Sequence, residues 1–365
     1  MLWYLPKTSA SRRAAAGILA TVLVWVGAAR ALTPEEIAVY SGPDRAKILL
    51  EGAKKEGAVS LYTGMIVNQA VRPVLDAFGA KYPDIKAEYW RGDSAILLQK
   101  YFTEVRAGNV QADVVESGNV AGPLQEVGAS IPFRSPSAEG YSSGYVDPKN
   151  QWVATRVSYF GTAYNTKTVP DAQAPKTYDD LLDPKWKGRM SWRAGNDSGA
   201  PLFILNVLLK YGDKAGEDYL KKLSAQQVVN YTNSARALVD AVGRGEYDLS
   251  LNIFAHHPLI SKKVGAPLDV RMMDPIPSNI NTIHLVKGVK HPHAAMLLID
   301  FMLSKEGQTV LLEADYQPAH PSVDLDPTLQ KILPRVAKMG ENVITPEMMF
   351  ARTQGLNDLF EKYFK

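Results

Sequence analysis

The stretch WVATRVSYFGTAYN, residues 152–165, decides how the rest of the chain is read. It is long for a strand, β-rich and without a helical period, and it separates two blocks in which strand-like and helix-like runs alternate. Upstream, AVSLYT (58–63) leads into a helical run with Ala70, Val71, Val74, Leu75 and Phe78 on one face. IKAEYW (85–90) then precedes DSAILLQKYFTEVRAG (93–108), and ADVVES (112–117) follows. Downstream, RMSWR (189–193), APLFILNVLLKYG (200–212), QVVNY (227–231), SARALVDAVGRG (234–245) and YDLSLN (247–252) restart the pattern. Such β/α alternation predicts parallel sheets covered by helices. The expected architecture is therefore α/β and two-lobed, each lobe a mainly parallel sheet flanked by helices. DVRMMDPIPSNINTIHLV (269–286) is a second long β-rich run, and both runs are read as strands passing between the lobes.

Composition agrees with a folded exported chain. The 365 residues are 46% apolar and 22% charged, which describes a globular protein with room for two domains. Residues 1–31 read as a signal peptide. Lys7, Arg12 and Arg13 precede the apolar run Ala14–Ala29, which is shorter than the roughly 20 residues of a membrane span. Ala29 and Ala31 then give the A-x-A spacing of a cleavage site. Removing four of the 41 basic residues leaves 37 against 38 acidic ones, so the mature chain is close to neutral and carries no basic signature for nucleic acid. Zero cysteine excludes disulfides, thiolate metal sites, thiol catalysis and a lipid-modified cysteine. Thr33-Pro34-Glu35-Glu36 is a capping box that starts a helix directly after the leader.

Several turns have the chemistry of an anion site. In NDSGAPLFILNVLLK, Ser198 is placed to cap a helix whose first turn holds Gly199, Ala200 and Pro201, small residues that leave backbone N–H groups open. In TNSARALVDAV, Asn233 or Ser234 caps the next helix and adds a side-chain donor. Read alone, both are equally well ordinary helix caps. In the first half, Thr63 and Gly64, and Ser117 and Gly118, follow strands and precede helices, where open α/β sheets bind ligands. Gly64 and Gly118 are also plausible simply as turn formers.

Four segments carry a family resemblance: APKTYDDLLDPKWKGRMSW (174–192), VSYFGTAYNTK (157–167), NSARALVDAVGRGEYD (233–248) and SKEGQTVLLEA (304–314). From about Gly57 to Tyr316 the chain resembles the periplasmic solute-binding proteins of ABC importers, the family that includes the ferric-iron binders. The resemblance implies a type II binding-protein fold with lobes 32–157 plus 276–315 and 158–275 plus 316–365. It also implies a ligand held between the lobes, a periplasmic location and an ABC permease in the inner membrane as partner. In the iron binders the positions matching Ser198, Gly199, Ala200, Asn233 and Ser234 hold an anion beside the metal, so these residues are carried over as an anion subsite.

The metal ligands themselves are missing from the pattern. The adjacent tyrosine pair of ferric binders falls on Phe254 and Ala255, an accompanying arginine on Pro258, and the first-lobe ligand near Ile66. No tyrosine lies between Tyr247 and Tyr316, so a shifted alignment does not restore the pair. His256 and His257 are adjacent, project about 100° apart on a helix and do not easily grip one ion; His257 is kept as a polar contact. His291-Pro292-His293 reads as the entry turn of the helix HAAMLLIDFML. Tyr159 and Phe254 suggest an organic ligand body, and Arg156 either neutralises ligand charge or pairs with an acid.

The expected function is thus a monomeric periplasmic receptor, without cofactor or metal, for a small anionic organic ligand such as a phosphonate, phosphate ester or carboxylate. The alternatives are a metal receptor with unfamiliar ligands and, from another class, a secreted hydrolase. The hydrolase finds no G-x-S-x-G elbow or H-E-x-x-H motif to support it. Intact mass of the exported protein is expected to show a chain starting at Leu32; soluble exported material retaining Met1 would refute the leader assignment.

Overall fold

A computed structural model describes Met1, residues 32–194 and residues 198–365. The leader and its cleavage point at Ala31 lie outside the described residues. Every element below belongs to the single unit Thr33–Lys365.

The capping box forms as the sequence predicts. Thr33 Oγ1 accepts the Glu36 amide at 3.2 Å and Glu36 Oε2 accepts the Thr33 amide at 2.8 Å, opening α1 (Pro34–Val39). Next come α2 (Arg45–Glu56) and β1 (Ala58–Thr63), then a wide helical turn at Val67–Val71 that continues as α3 (Arg72–Lys81). The block closes with β2 (Lys86–Arg91), α4 (Ser94–Arg106), β3 (Val114–Ser117), α5 (Ala121–Glu126) and the short β4 (Ser130–Ile131). β5 (Val153–Asn165) is the long strand of the opening stretch.

The second block contains β6 (Met190–Arg193), α6 (Ala200–Tyr211), α7 (Asp213–Ser224), β7 (Val229–Tyr231), α8 (Ala235–Arg244), β8 (Leu249–Phe254) and α9 (His256–Lys263). The second β-rich run divides into β9 (Leu268–Arg271) and β10 (Ile276–Val286). Pro275 has no N–H for a ladder, which helps explain the break there. α10 (Pro292–Leu303), α11 (Lys305–Glu313), α12 (Pro327–Gln330), α13 (Pro334–Ala337), β11 (Glu341–Ile344) and α14 (Pro346–Phe364) complete the chain.

Strand order is β2-β1-β3-β10-β5-β8-β6-β7, with β4 and β11 on β10 and β9 on β5. β1 is parallel to β2 and β3, and β6 is parallel to β7 and β8. Between these sets β5 and β10 run antiparallel to each other and to the strands beside them, except that β10 pairs parallel with β11. Residues Val153–Tyr159 of β5 pair with β10, whereas Phe160–Tyr164 pair with β8. β10 likewise pairs with β11 through Ile276–Asn279 and with β3 through Thr282–Leu285. The two long strands therefore join two β/α sets, which is the two-lobed arrangement that the alternation predicts.

Apolar periodicity explains the packing. α10 buries most of its circumference and packs against α2, α3 and β1, so it reads as continuously apolar rather than striped. Phe78 of α3 is fully buried, edge-on to Phe301 of α10 with ring centroids 5.7 Å apart. In the other set, Trp192 of β6 is enclosed by Phe203 and Phe364, and its indole N–H donates to Asn230 Oδ1 at 2.7 Å. α14 packs against α6 and α7, and also against α5. Phe78→Ala is expected to cost about 3–5 kcal/mol through lost burial and the cavity left behind, read as a lower urea midpoint; a change below about 1 kcal/mol would show that α3 is not docked as described.

Candidate functional site

The turns at the carboxyl ends of β1, β2, β3 and β6 meet the middle of β5 and β10 around a cavity of about 370 Å³. Its lining combines Gly64, Asp93 and Ser94, Ser117 to Asn119, Arg156 and Ser158, Arg193 and Ser198, Phe254, Asn279 and Asn281. This size is within the usual range for small-ligand pockets.

The floor rests on a buried carboxylate. Glu116, in β3, has no exposed surface and accepts from Thr63 Oγ1 at 2.6 Å, Thr155 Oγ1 at 2.9 Å and Arg156 Nε at 3.2 Å. A buried charge is tolerated only when paired and hydrogen-bonded, and these partners come from β1, the adjacent strand, and from β5, one strand further across β10. Arg156 also stacks on Tyr316, with its guanidinium carbon 4.5 Å from the ring centroid. The guanidinium is thereby held at the cavity with its Nη groups still available as donors.

Arg193 reaches the cavity from the end of β6. Its Nε is buried without a hydrogen-bond partner among the described residues, burial pushes the guanidinium down from its ordinary value, and the nearby Asp93 charge opposes that shift. The α6 turn is fitted against it: a Cβ on Gly199 would lie 2.1 Å from the Arg193 carbonyl oxygen. Asn252 secures the same turn by donating to the carbonyls of Ser198 and Gly199, each at 3.0 Å. Asn252 has φ +50° where the β5–β8 register shifts, a bulge in which asparagine tolerates the left-handed conformation. Gly64 is needed for close approach as well, since a Cβ there would meet Ser117 Oγ at 2.6 Å.

The structure brings together Gly64, Ser117, Gly118, Ser198 and Phe254 of the expected set. Other members sit elsewhere. Thr63 is buried beneath the floor, its hydroxyl given to Glu116. Tyr159 points into the core, 3.3 Å from the Tyr145 hydroxyl, because alternation along β5 turns it away from Arg156 and Ser158. The expectation that Ser198 is the cap residue of α6 is corrected: Gly199 holds that position, and glycine has no side chain to cap with. Gly199 and Ala200 are buried in the turn and do not line the cavity. Ser234 does cap α8, accepting the Ala237 amide at 3.2 Å, but Asn233 and Ser234 are exposed and outside the cavity lining.

His256 and His257 open α9 with rings in an edge-on pair, centroids 4.5 Å apart. Their Nδ1 atoms are buried without partners, and His257 touches Phe254 rather than the cavity. Burial pushes His257 down to about 4 and His256 well below its ordinary value, helped by the positive charges of Arg156 and Arg236. His291 and His293 are structural: their Nδ1 atoms lie 2.8 Å from Asp113 Oδ2 and 2.6 Å from Glu56 Oε1. Among the described residues no group of three His, Cys, Asp or Glu side chains could hold a metal ion.

Ser94, Ser158, Arg193, Asn279 and Asn281 are cavity residues that the motif reading passed over. Ser94 follows β2 at the same kind of turn as Gly64 and Ser117. Asn279 and Asn281 stand two apart in SNIN, and Arg193 ends a strand. Position along a strand, rather than a motif, was the available signal.

Comparison with known proteins now places the chain. Residues 110–338 match the family described as bacterial extracellular solute-binding protein. The chain belongs to that family. Among curated relatives, a Salmonella typhimurium protein named as a 2-aminoethylphosphonate-binding periplasmic protein is 27% identical over 248 residues, 66% of this chain and 71% of its own length. The Fe(3+)-binding periplasmic protein of Serratia marcescens is 24% identical over 271 residues, 72% and 78% of the two chains. Among solved structures, the periplasmic binding protein AfuA of Actinobacillus pleuropneumoniae with exogenous fructose-6-phosphate bound matches with TM-score 0.67 and 22% identity, covering 84% of this chain and 98% of AfuA. Iron-bound HitA of Pseudomonas aeruginosa matches with TM-score 0.70 and 23% identity, covering 83% and 99%. These likenesses establish the type II binding-protein fold of this solute-binding protein.

The histidines give a pH dependence with a definite sign. Above pH about 6.5 neither folded nor unfolded chain protonates His257. As pH falls from there towards about 4, only the unfolded chain takes up the proton, so stability is lost across that window. Buried His284, held down to about 3, acts in the same direction. The urea midpoint should therefore decline between pH 6.5 and 4, and His257→Gln should flatten part of the decline; an unchanged slope would show that this imidazole is not kept neutral by the fold.

Proposed function

We propose that this solute-binding protein captures a small organic anion in the cavity between its lobes and delivers it to an ABC permease of the inner membrane. The observation that carries the reading is the convergence of Arg156 and Arg193, from the joining strand and from the second β/α set, on one cavity. Arg156 is already balanced by Glu116, so Arg193 supplies the charge left for a ligand. Phosphonate, phosphate ester and carboxylate groups all accept the planar donor fork of a guanidinium. Relatives named for a phosphonate and solved with a sugar phosphate support this choice.

A ferric ion fits the same cavity poorly. Two guanidinium groups oppose a trivalent cation, and the positions matching the family's phenolates are Phe254, which lines the cavity, and Ala255, which is buried in the core. Catalysis has no support either: the cavity carboxylate Asp93 pairs with Arg91, and the Ser94 hydroxyl is given to Ser117 Oγ and the Gly118 carbonyl rather than to a base.

The remaining parts of the proposal follow from the exported, nearly neutral chain. It acts as a monomer in the periplasm after cleavage behind Ala31, binds no nucleic acid, and divides into lobes 32–157 with 276–315 and 158–275 with 316–365.

In calorimetric titrations with phosphonates, phosphate esters and small carboxylates, at least one anion class should bind while neutral sugars do not. Arg193→Ala should weaken that binding about ten- to hundredfold, the worth of a hydrogen bond to a charged group. A variant that folds normally and binds as tightly as the parent would sink the proposal.

A further inference from the structure

The middle of the β5–β10 pair presents a feature that charge recognition leaves unused. Arg156 and Ser158 are two apart on β5, Asn279 and Asn281 are two apart on β10, and the antiparallel register sets Ser158 opposite Asn279 and Arg156 opposite Asn281. Residues with this spacing and pairing share one face of the sheet, and all four line the cavity. Their intervening neighbours Val157 and Ile280 are buried on the other face. The polar patch measures about 7 Å along the strands and about 5 Å across them.

Three corners of this patch are neutral. Asn279 exposes only 8% of its surface, and what it exposes opens on the cavity, as do the Asn281 carboxamide and the Ser158 hydroxyl. Polar groups that open on a cavity are met there by water or by a ligand that matches their donors and acceptors. An ammonium group is a poor candidate because it needs a carboxylate. Both oxygens of Glu116 are engaged, and Asp93 is paired with Arg91 at 3.1 Å. Hydroxyl groups suit an array of side chains that both donate and accept. Phe254, beside the patch and braced on Phe160 at 4.8 Å, offers an aromatic face to the C–H side of a sugar.

We infer that the ligand is a polyhydroxylated anion of the sugar-phosphate or sugar-acid class, its charged group at Arg193 and its hydroxyls read by Ser158, Asn279 and Asn281. This rests on the anion reading above and narrows it. Recognition of hydroxyls by buried polar groups is strongly selective, because an analogue without them leaves those groups unpaired.

The test is a titration of the full mature protein with matched pairs: ribose 5-phosphate against propyl phosphate, and gluconate against hexanoate, with 2-aminoethylphosphonate alongside. In at least one pair the hydroxylated member should bind about tenfold tighter or more. Asn279→Ala and Asn281→Ala should each weaken that member about fivefold or more and leave its partner's affinity unchanged; the partner's unchanged binding shows that the variant is folded. Equal affinity within both pairs, or equal weakening of both members, overturns the hydroxyl reading while leaving the anion reading intact. Tighter binding of 2-aminoethylphosphonate than of either hydroxylated anion overturns it also. Absence of binding by every anion overturns the anion reading itself, and this inference with it.

Discussion

A single buried carboxylate organises the centre of the molecule. Glu116 lies where β1, β3 and β5 come together, and its side chain accepts from Thr63, Thr155 and Arg156. Removing such a charge from water costs several kcal/mol unless its lone pairs are satisfied, so the three donors must stay where they are. That requirement fixes the first β/α set against the long strand leaving it, and it holds Arg156 at the cavity.

The opposite wall is built by backbone fit rather than charge. Asn252 occupies a left-handed position at a bulge, and from there its carboxamide holds the Ser198 and Gly199 carbonyls. Only glycine fits at 199, because any Cβ would meet the Arg193 carbonyl. Arg193 is therefore placed by a bulge, a missing side chain and the end of a strand. One wall of the cavity is fixed by a buried ion pair and the other by close backbone packing, which gives two cations in different settings: Arg156 paired with Glu116, and Arg193 without an ion pair among the described residues.

The neutral residues extend the same logic. Arg156, Ser158, Asn279 and Asn281 form a lattice only because two strands far apart in sequence run antiparallel in a particular register. A shift of β5 by one residue would turn Val157 and Tyr159 towards the cavity and bury the arginine. The aromatic and aliphatic residues on the core face resist that shift, so packing on one side of the pair preserves the polar cavity lining on the other.

The sequence alone determined the elements and their grouping. Period-two and period-3.6 patterns placed β1, β2, β3, β6, β7 and β8 and the helices α3, α4, α6 and α8, and the long unbroken run at 152–165 marked the joining strand, because these signals are local and each element must bury one face. The resemblance to the ferric binders adds the expectation that Phe254 and Ala255 stand where that family has its tyrosine pair. What the sequence left open was which turn residues meet. Ser198 and Ser117 do line one cavity, whereas Ser234 caps a helix outside it and Tyr159 belongs to the core. Arg193, Asn279 and Asn281 carry no motif at all. Their place depends on strand order and register, which are set by contacts between residues distant in sequence, and only the tertiary structure decides those.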